Sequence, residues 1–400
     1  MDPAADSPST QHSPGPKGAP RTHLAHQNAF PYEPSLDGLR GVAIAGVVVY
    51  HACASSGLHH WVRGGFIGVS VFFTLSGFLI TSLLLREHEQ QGSIDVRRFW
   101  VRRIRRLSPA AAVVVAGVVA LSTMHLLSAR ASDAVAAIWS ATNWHVMLGG
   151  DAELLQSIVG PLGPTWSLAV EEQLYLLLVV AVLVTGRSRD PRRSLGAVAV
   201  VVVVTSIVLA NTVSDWHPRL EFGTDLRAGE IAVGVALALL LSGPRAPAWS
   251  ARTADVVGGL GLAALVICFL FVDYHPPWLL RGGYAVIALV TAITITGVLR
   301  HGLLDRMLSG RAIVGLGRIS YSLYLVHWPV MMLLTRERLH LHGVRHAAAV
   351  IVVAVVVAVV LYVVVEQPIR RGRPTALRPT LVAHVLAATA ISVVAWTTLP

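Results

Sequence analysis

Two histidines, two adjacent glutamates and a run of arginines, all in or beside apolar stretches, are the residues of this chain best suited to chemistry. An ionisable group inside a membrane helix is costly, and it usually faces a cavity or a pathway. The segment Leu36-Asp37-Gly38-Leu39-Arg40-Gly41 leads through an apolar run to Tyr50-His51. Arg40 and His51 are eleven residues apart, about 16 Å along a helix and close to three turns, so they share one face. An apolar layer is roughly 30 Å thick, so Arg40 belongs near one surface and His51 much deeper or toward the other. The imidazole can act as a general base toward a hydroxyl. It can equally be a hydrogen bond between helices, with Arg40 snorkelling to the surface. His327, in Ser320-Tyr321-Ser322-Leu323-Tyr324-Leu325-Val326-His327-Trp328-Pro329, competes for the base role, and Cys53 is a weaker rival as a covalent nucleophile.

The carboxylates lie in Pro164-Thr165-Trp166-Ser167-Leu168-Ala169-Val170-Glu171-Glu172-Gln173. Adjacent helical residues point about 100° apart, so only one of Glu171 and Glu172 readily faces a given cavity. A helix-dipole role would explain one exposed Glu near the N-terminus better than two a turn inside. The arginines lie in Arg97-Arg98-Phe99-Trp100-Val101-Arg102-Arg103-Ile104-Arg105-Arg106. Such a segment is either an anchor on anionic lipid or a clamp for the phosphates of a nucleotide-like donor. By composition the anchor has the better claim. Glu366, before Gln367-Pro368, is expected to pair with Arg370.

These residues need a scaffold, and the composition says which. Of 400 residues, 54% are hydrophobic and only 14% charged, with mean hydropathy +0.63. Soluble domains carry roughly 25% charged residues. Apolar stretches long enough for membrane helices fall at 38–56, 66–85, 110–128, 166–185, 195–212, 226–242, 254–272, 283–299, 319–335, 347–365 and 380–397. The expected fold is all-α, a polytopic bundle of about eleven spans. Asp133 to Leu148 is too short and mixed to span, and reads as a loop or interfacial helix. Residues 1–33, rich in Pro, Ser, His and Ala, read as a disordered cytoplasmic tail. Residues 34–372 form the main membrane domain, and 373–400 a linker with an additional span. With a cytoplasmic N-terminus, 24 of the 32 basic residues fall on the inner side and eight outside, which puts the C-terminus outside the cytoplasm. That split accounts for most of the +10 charge and argues against nucleic acid as a partner. Cys53 and Cys268 both lie in apolar runs and suggest neither a disulfide framework nor a metal site.

Taken together, these segments resemble the acyltransferase-3 family of bacterial membrane acyltransferases, from about Pro34 to Arg371. The resemblance rests on the Arg40–His51 spacing, the Gly68–Ile80 segment, the arginine cluster, Trp166 to Gln173, and Ser320 to Pro329. It implies O-acyl transfer in the bacterial cell membrane, from a donor such as acetyl-CoA to hydroxyls of cell-surface glycans or glycosylated metabolites. No tightly bound cofactor is implied. His51 would then be the base, Glu171 or Glu172 would orient it, and Arg40, Arg102, Arg103, Arg105 and Arg106 would hold the donor. Trp166, Ser167, Tyr324 and His327 would line the substrate cavity. Ser70 stands where relatives commonly carry Asp, and Leu174 and Val326 replace common aromatics. Many relatives continue into an extracytoplasmic esterase-like domain, so either this form stands alone or a separate partner supplies that domain. The rival reading is a transporter or flippase that uses the same intramembrane charges as a pathway.

Overall fold

A computed structural model describes residues 32–149, 160–213, 217–243, 246–372 and 376–400. Residues 1–31 of the expected tail and 373–375 of the expected linker lie outside them. Every regular element among the described residues is helical. In chain order the main helices are α1 (Pro34–Ser55), α2 (Gly68–Gln91), α3 (Val96–Thr123), α4 (Ala131–Ile138), α5 (Thr142–Leu148), α6 (Thr165–Thr185) and α7 (Pro191–Thr212). They continue as α8 (Thr224–Leu241), α9 (Ala251–Phe271), α10 (Tyr284–Val298), α11 (Arg311–Arg318), α12 (Ser320–Leu333), α13 (Gly343–Leu361) and α14 (Leu377–Thr398).

Among the described residues, nine helices are long and apolar enough to cross a membrane. Two of the eleven expected spans, those in α8 and α12, are helical but fall outside that group. Asp225, Arg227 and Glu230 lie within the 18 residues of α8, and α12 has only 14 residues. At 1.5 Å per residue, 14 residues cover about 21 Å, less than an apolar layer. The chain is an all-α, multi-pass membrane protein.

Local chemistry sets the helix boundaries. Pro34 and Pro191 occupy the first turns of α1 and α7, where a missing N–H costs nothing. Asp95 and Asp190 cap α3 and α7 by accepting from the Arg98 and Arg193 amides at 2.9 and 3.1 Å. Gly92, with φ of 68°, closes α2 in a left-handed conformation that a side chain would resist.

Small residues let the helices approach closely. A Cβ at Gly38 would meet the Leu308 carbonyl oxygen, and one at Gly317 would meet that of Asp37. The glycine of Asp37-Gly38-Leu39-Arg40 therefore seats α1 against the chain leading into and through α11, which fixes where Arg40 sits. Gly77 and Gly234 do the same between α2 and α8, against the carbonyls of Ile231 and Thr74.

The Asp133–Leu148 segment is neither loop nor one interfacial helix. It forms α4 and α5, with Asp133 and Asn143 buried. Asp133 holds Arg130 and His145, and the Asn143 amide donates to the Phe222 carbonyl. The additional C-terminal helix, α14, packs on α3 and α4 and leaves most of its surface to lipid.

Candidate functional site

Three of the five expected donor-binding arginines converge. Arg40 comes from the second turn of α1, and Arg103 and Arg106 from one face of α3. Each keeps a buried Nε with no hydrogen-bond partner. Arg103 reaches the Glu171 carboxylate at 3.5 Å and stacks on the Tyr175 ring at 3.7 Å. Arg40 and Arg106 make no hydrogen bond or ion pair among the described residues, so guanidinium donors remain available to a ligand. The other two arginines point elsewhere. Exposed Arg102 lies 3.4 Å from buried Glu87, and Arg105 donates to the Ile369 carbonyl. The reason is periodicity: residues 103 and 106 share one helix face, and 102 and 105 share its neighbour.

Beside the arginines is a cavity of about 60 Å³. Arg40, Ser76, Glu171, Ser167, Ser320 and Tyr324 supply its polar lining. The Ser76 and Tyr175 hydroxyls both donate to Glu171. Glu172, one residue on, points away and accepts from Ser140 at 2.7 Å. Ser167 and Tyr324 hydroxyls lie 2.6 Å apart, and Tyr324 also donates to the Pro164 carbonyl at 3.0 Å.

The two histidines meet beyond this cavity. Their ring centroids are 5.2 Å apart, and Tyr324 lies 5.5 Å from His327 on the cavity side. His51 Nδ1 is 2.9 Å from the Val47 carbonyl, and His327 Nδ1 is 2.7 Å from that of Tyr324. A carbonyl can only accept, so each Nδ1 carries the proton and each neutral ring keeps its lone pair on Nε2. His327 Nε2 is buried without a partner. Trp328 meets His51 edge-on at 5.0 Å, and its indole donates to the Gly160 carbonyl at 3.0 Å.

The structure therefore differs from the sequence expectation at Arg102 and Arg105, at His327, which lies beyond the cavity instead of lining it, and at two further places. Among the described residues neither Glu171 nor Glu172 is hydrogen-bonded to His51; the Val47 carbonyl orients that ring instead. Trp166 lies outside the cavity lining, packed edge-on against Phe73 at 6.4 Å and Phe222 at 5.0 Å. Glu366 does pair with Arg370, at 3.9 Å, but it is also buried and accepts from Ser322 at 2.8 Å.

Residues 33–363 match the family described as an acyltransferase domain. YrhL of Bacillus subtilis (strain 168), provisionally named a peptidoglycan O-acetyltransferase, is 36% identical over 358 residues. The O-acetyltransferase OatA of Staphylococcus aureus (strain NCTC 8325 / PS 47) is 32% identical over 316 residues. These alignments cover 85% and 75% of this chain. The chain belongs to the acyltransferase-3 family. It spans about half the length of these relatives, 55% and 51% respectively. No solved structure matches the chain.

Within this acyltransferase domain, one constellation escaped the sequence reading. Arg227 and Glu230, one turn apart on α8, form a buried pair at 2.6 Å. Arg227 also donates to Ser70 at 3.2 Å and lies over the Tyr284 ring at 3.9 Å. The Ser70 hydroxyl thus shares Arg227 with Glu230. The signal was present as two ionisable residues three apart in an apolar helix. Charge counting along the sequence puts Arg227 among the eight outer basic residues, because it treats a basic residue at a span's end as solvated.

Proposed function

We propose that the chain is a membrane O-acetyltransferase that takes the acyl group from acyl-CoA at one membrane face and delivers it to a glycan hydroxyl at the other. The observation that supports this most is the order of groups through the bundle. The arginines stand at one end, the cavity with Glu171, Ser167 and Tyr324 follows, and the His327–His51 pair lies beyond it. Phosphates of the donor would take the unpartnered guanidinium groups of Arg40 and Arg106. A cavity of about 60 Å³ suits an acetyl group better than a long chain. The names of YrhL and OatA suggest peptidoglycan as the acceptor.

His51 Nε2 takes the acceptor proton while the hydroxyl oxygen attacks the thioester carbonyl. The C–S bond then breaks, and the CoA thiolate recovers the proton from the imidazolium. No external oxidant, reductant or metal is required by this balance. Arg40 and Arg106 hold the nucleotide end, and Arg103 with Glu171 fixes the wall between. In this reading the arginine end faces the cytoplasm and the histidine end lies outside it, as the 24-to-8 charge split favours.

The test is purified protein in vesicles, with acetyl-CoA supplied on one face only and N-acetylglucosamine oligomers on the other. Ester should form only when the donor contacts the arginine face. Movement of either compound without a new ester would replace this reading with a transporter. The arginines give a second expected result. Arg40→Ala and Arg106→Ala should each weaken acyl-CoA binding by about tenfold or more, since a charge-assisted hydrogen bond contributes roughly 1.5–3 kcal/mol. Arg102→Ala and Arg105→Ala should change it by less than about threefold. Equal losses at all four positions, measured by titration, would return the cluster to a lipid anchor.

A further inference from the structure

On the histidine side of the bundle, five residues outside the chemistry above form a connected group. Tyr50, next to His51, meets that imidazole edge-on at 4.9 Å. Phe66 lies 5.6 Å from Tyr50 and 5.1 Å from Tyr274, with the latter ring nearly perpendicular at 88°. Tyr274 stacks on His275 at 3.6 Å. Beneath them is Glu221, only 4% exposed, which accepts from the Tyr274 hydroxyl at 2.8 Å and from the His275 ring. His275 adopts φ of 63°, an uncommon conformation for a side chain larger than Gly, and it turns the loop back over Glu221.

The group does not resemble a core. Tyr274 is 40% exposed, and Tyr50, Phe66 and His275 are partly open. Neither does it suit a charged ligand, because the Glu221 carboxylate is already occupied by phenol and imidazole donors. What remains is a row of apolar ring faces with hydroxyl and imidazole edges, ending at the proposed base. Ring faces suit the C–H faces of a pyranose, and the polar edges suit its hydroxyls.

We propose that Tyr50, Phe66, Tyr274 and His275, held in place by Glu221, form the subsite that binds one sugar ring of the acceptor and presents its hydroxyl to His51. This rests on the acyltransferase reading above. Tyr274 is a binding residue, and Glu221 is a positioning residue that acts through Tyr274 and His275.

The experiment compares wild type, Tyr274→Ala, Tyr274→Phe and Glu221→Gln, all full chains in vesicles. It measures acetyl transfer from acetyl-CoA to N-acetylglucosamine oligomers. Acetyl-CoA binding, recorded for each variant, shows that the bundle is intact. Tyr274→Ala is expected to raise the acceptor KM about 3- to 10-fold, from the loss of one aromatic contact, with donor affinity unchanged. Tyr274→Phe and Glu221→Gln should raise KM by less, with kcat and donor affinity nearly unchanged. Tyr274 is a surface loop residue, so its variants test the idea even if Glu221→Gln folds poorly. Wild-type activity with an unchanged acceptor KM in both Tyr274 variants would overturn the subsite alone. Absence of ester on any carbohydrate with wild-type protein would overturn the acyltransferase reading, and this inference with it.

Discussion

His51→Ala is expected to cut ester formation by about 10²–10⁴-fold while acyl-CoA binding stays within about twofold of wild type. The loss corresponds to roughly 3–5 kcal/mol of transition-state stabilisation. The reason is the tautomer. With Nδ1–H committed to Val47, the ring presents Nε2 as a lone pair, which is the form a general base requires. The arginines stand about three turns away on α1 and on α3, so truncating the imidazole leaves the donor end untouched. His327→Ala is the necessary control. Its Nε2 is also unpartnered, but the ring is wholly buried between Tyr324 and His51. Its removal should lower turnover by less and leave a cavity that reduces thermal stability. Single-turnover rates of transfer from acetyl-CoA, with equilibrium donor binding measured alongside, separate the two. Near-normal transfer by His51→Ala would exclude it as the base, and a greater loss in His327→Ala would move the role to that residue.

Glu171→Gln should slow turnover by at least about tenfold, whereas Glu172→Gln should stay within about threefold of wild type. The two carboxylates are adjacent in sequence but have different surroundings. Glu171 lines the cavity and is the ion-pair partner of Arg103, the two side chains being 16% and 13% exposed. Removing one partner of a largely buried pair leaves the other uncompensated, at a cost of up to about 3–5 kcal/mol. Gln keeps an acceptor for the Ser76 and Tyr175 hydroxyls, so the charge is the main loss. Arg103 would then lose its ion-pair partner beside the cavity. Glu172 accepts from Ser140 and anchors the turn between α4 and α5, so its substitution should appear as a lower melting temperature. Steady-state rates and thermal unfolding of both variants in detergent check this. Equal rate losses would mean that the pair acts as a unit, and no loss in either would make both structural.

Much of this protein was legible in its sequence because lipid imposes a simple grammar. Backbone groups in an apolar layer must be satisfied internally, so long apolar runs are helices. All eleven apolar stretches read from the sequence contain helix, although the helix of the stretch at 110–128 begins earlier, at Val96, where Asp95 caps it. The residues worth suspecting were also visible, since a charge or an imidazole in such a run is costly enough to need a reason. Periodicity along one helix likewise set Glu171 and Glu172 on different faces.

Partnership between helices was not legible, because it depends on which faces meet. The sequence expected a carboxylate beside His51. In the fold, α12 brings His327 there, and Glu171 is drawn instead to Arg103, Ser76 and Tyr175. Five arginines looked equivalent as donor ligands, and only the docking of α3 against α12, α4 and α14 turned Arg103 and Arg106 inward. The stretch 226–242 was read as a span with nothing to pair Arg227 and Glu230, yet α2 and α10 close around them with Ser70 and Tyr284. Composition determined that these groups would lie within a membrane. Helix–helix packing, set by close contacts at glycines such as Gly38, Gly77, Gly234 and Gly317, decided which of them would face one another.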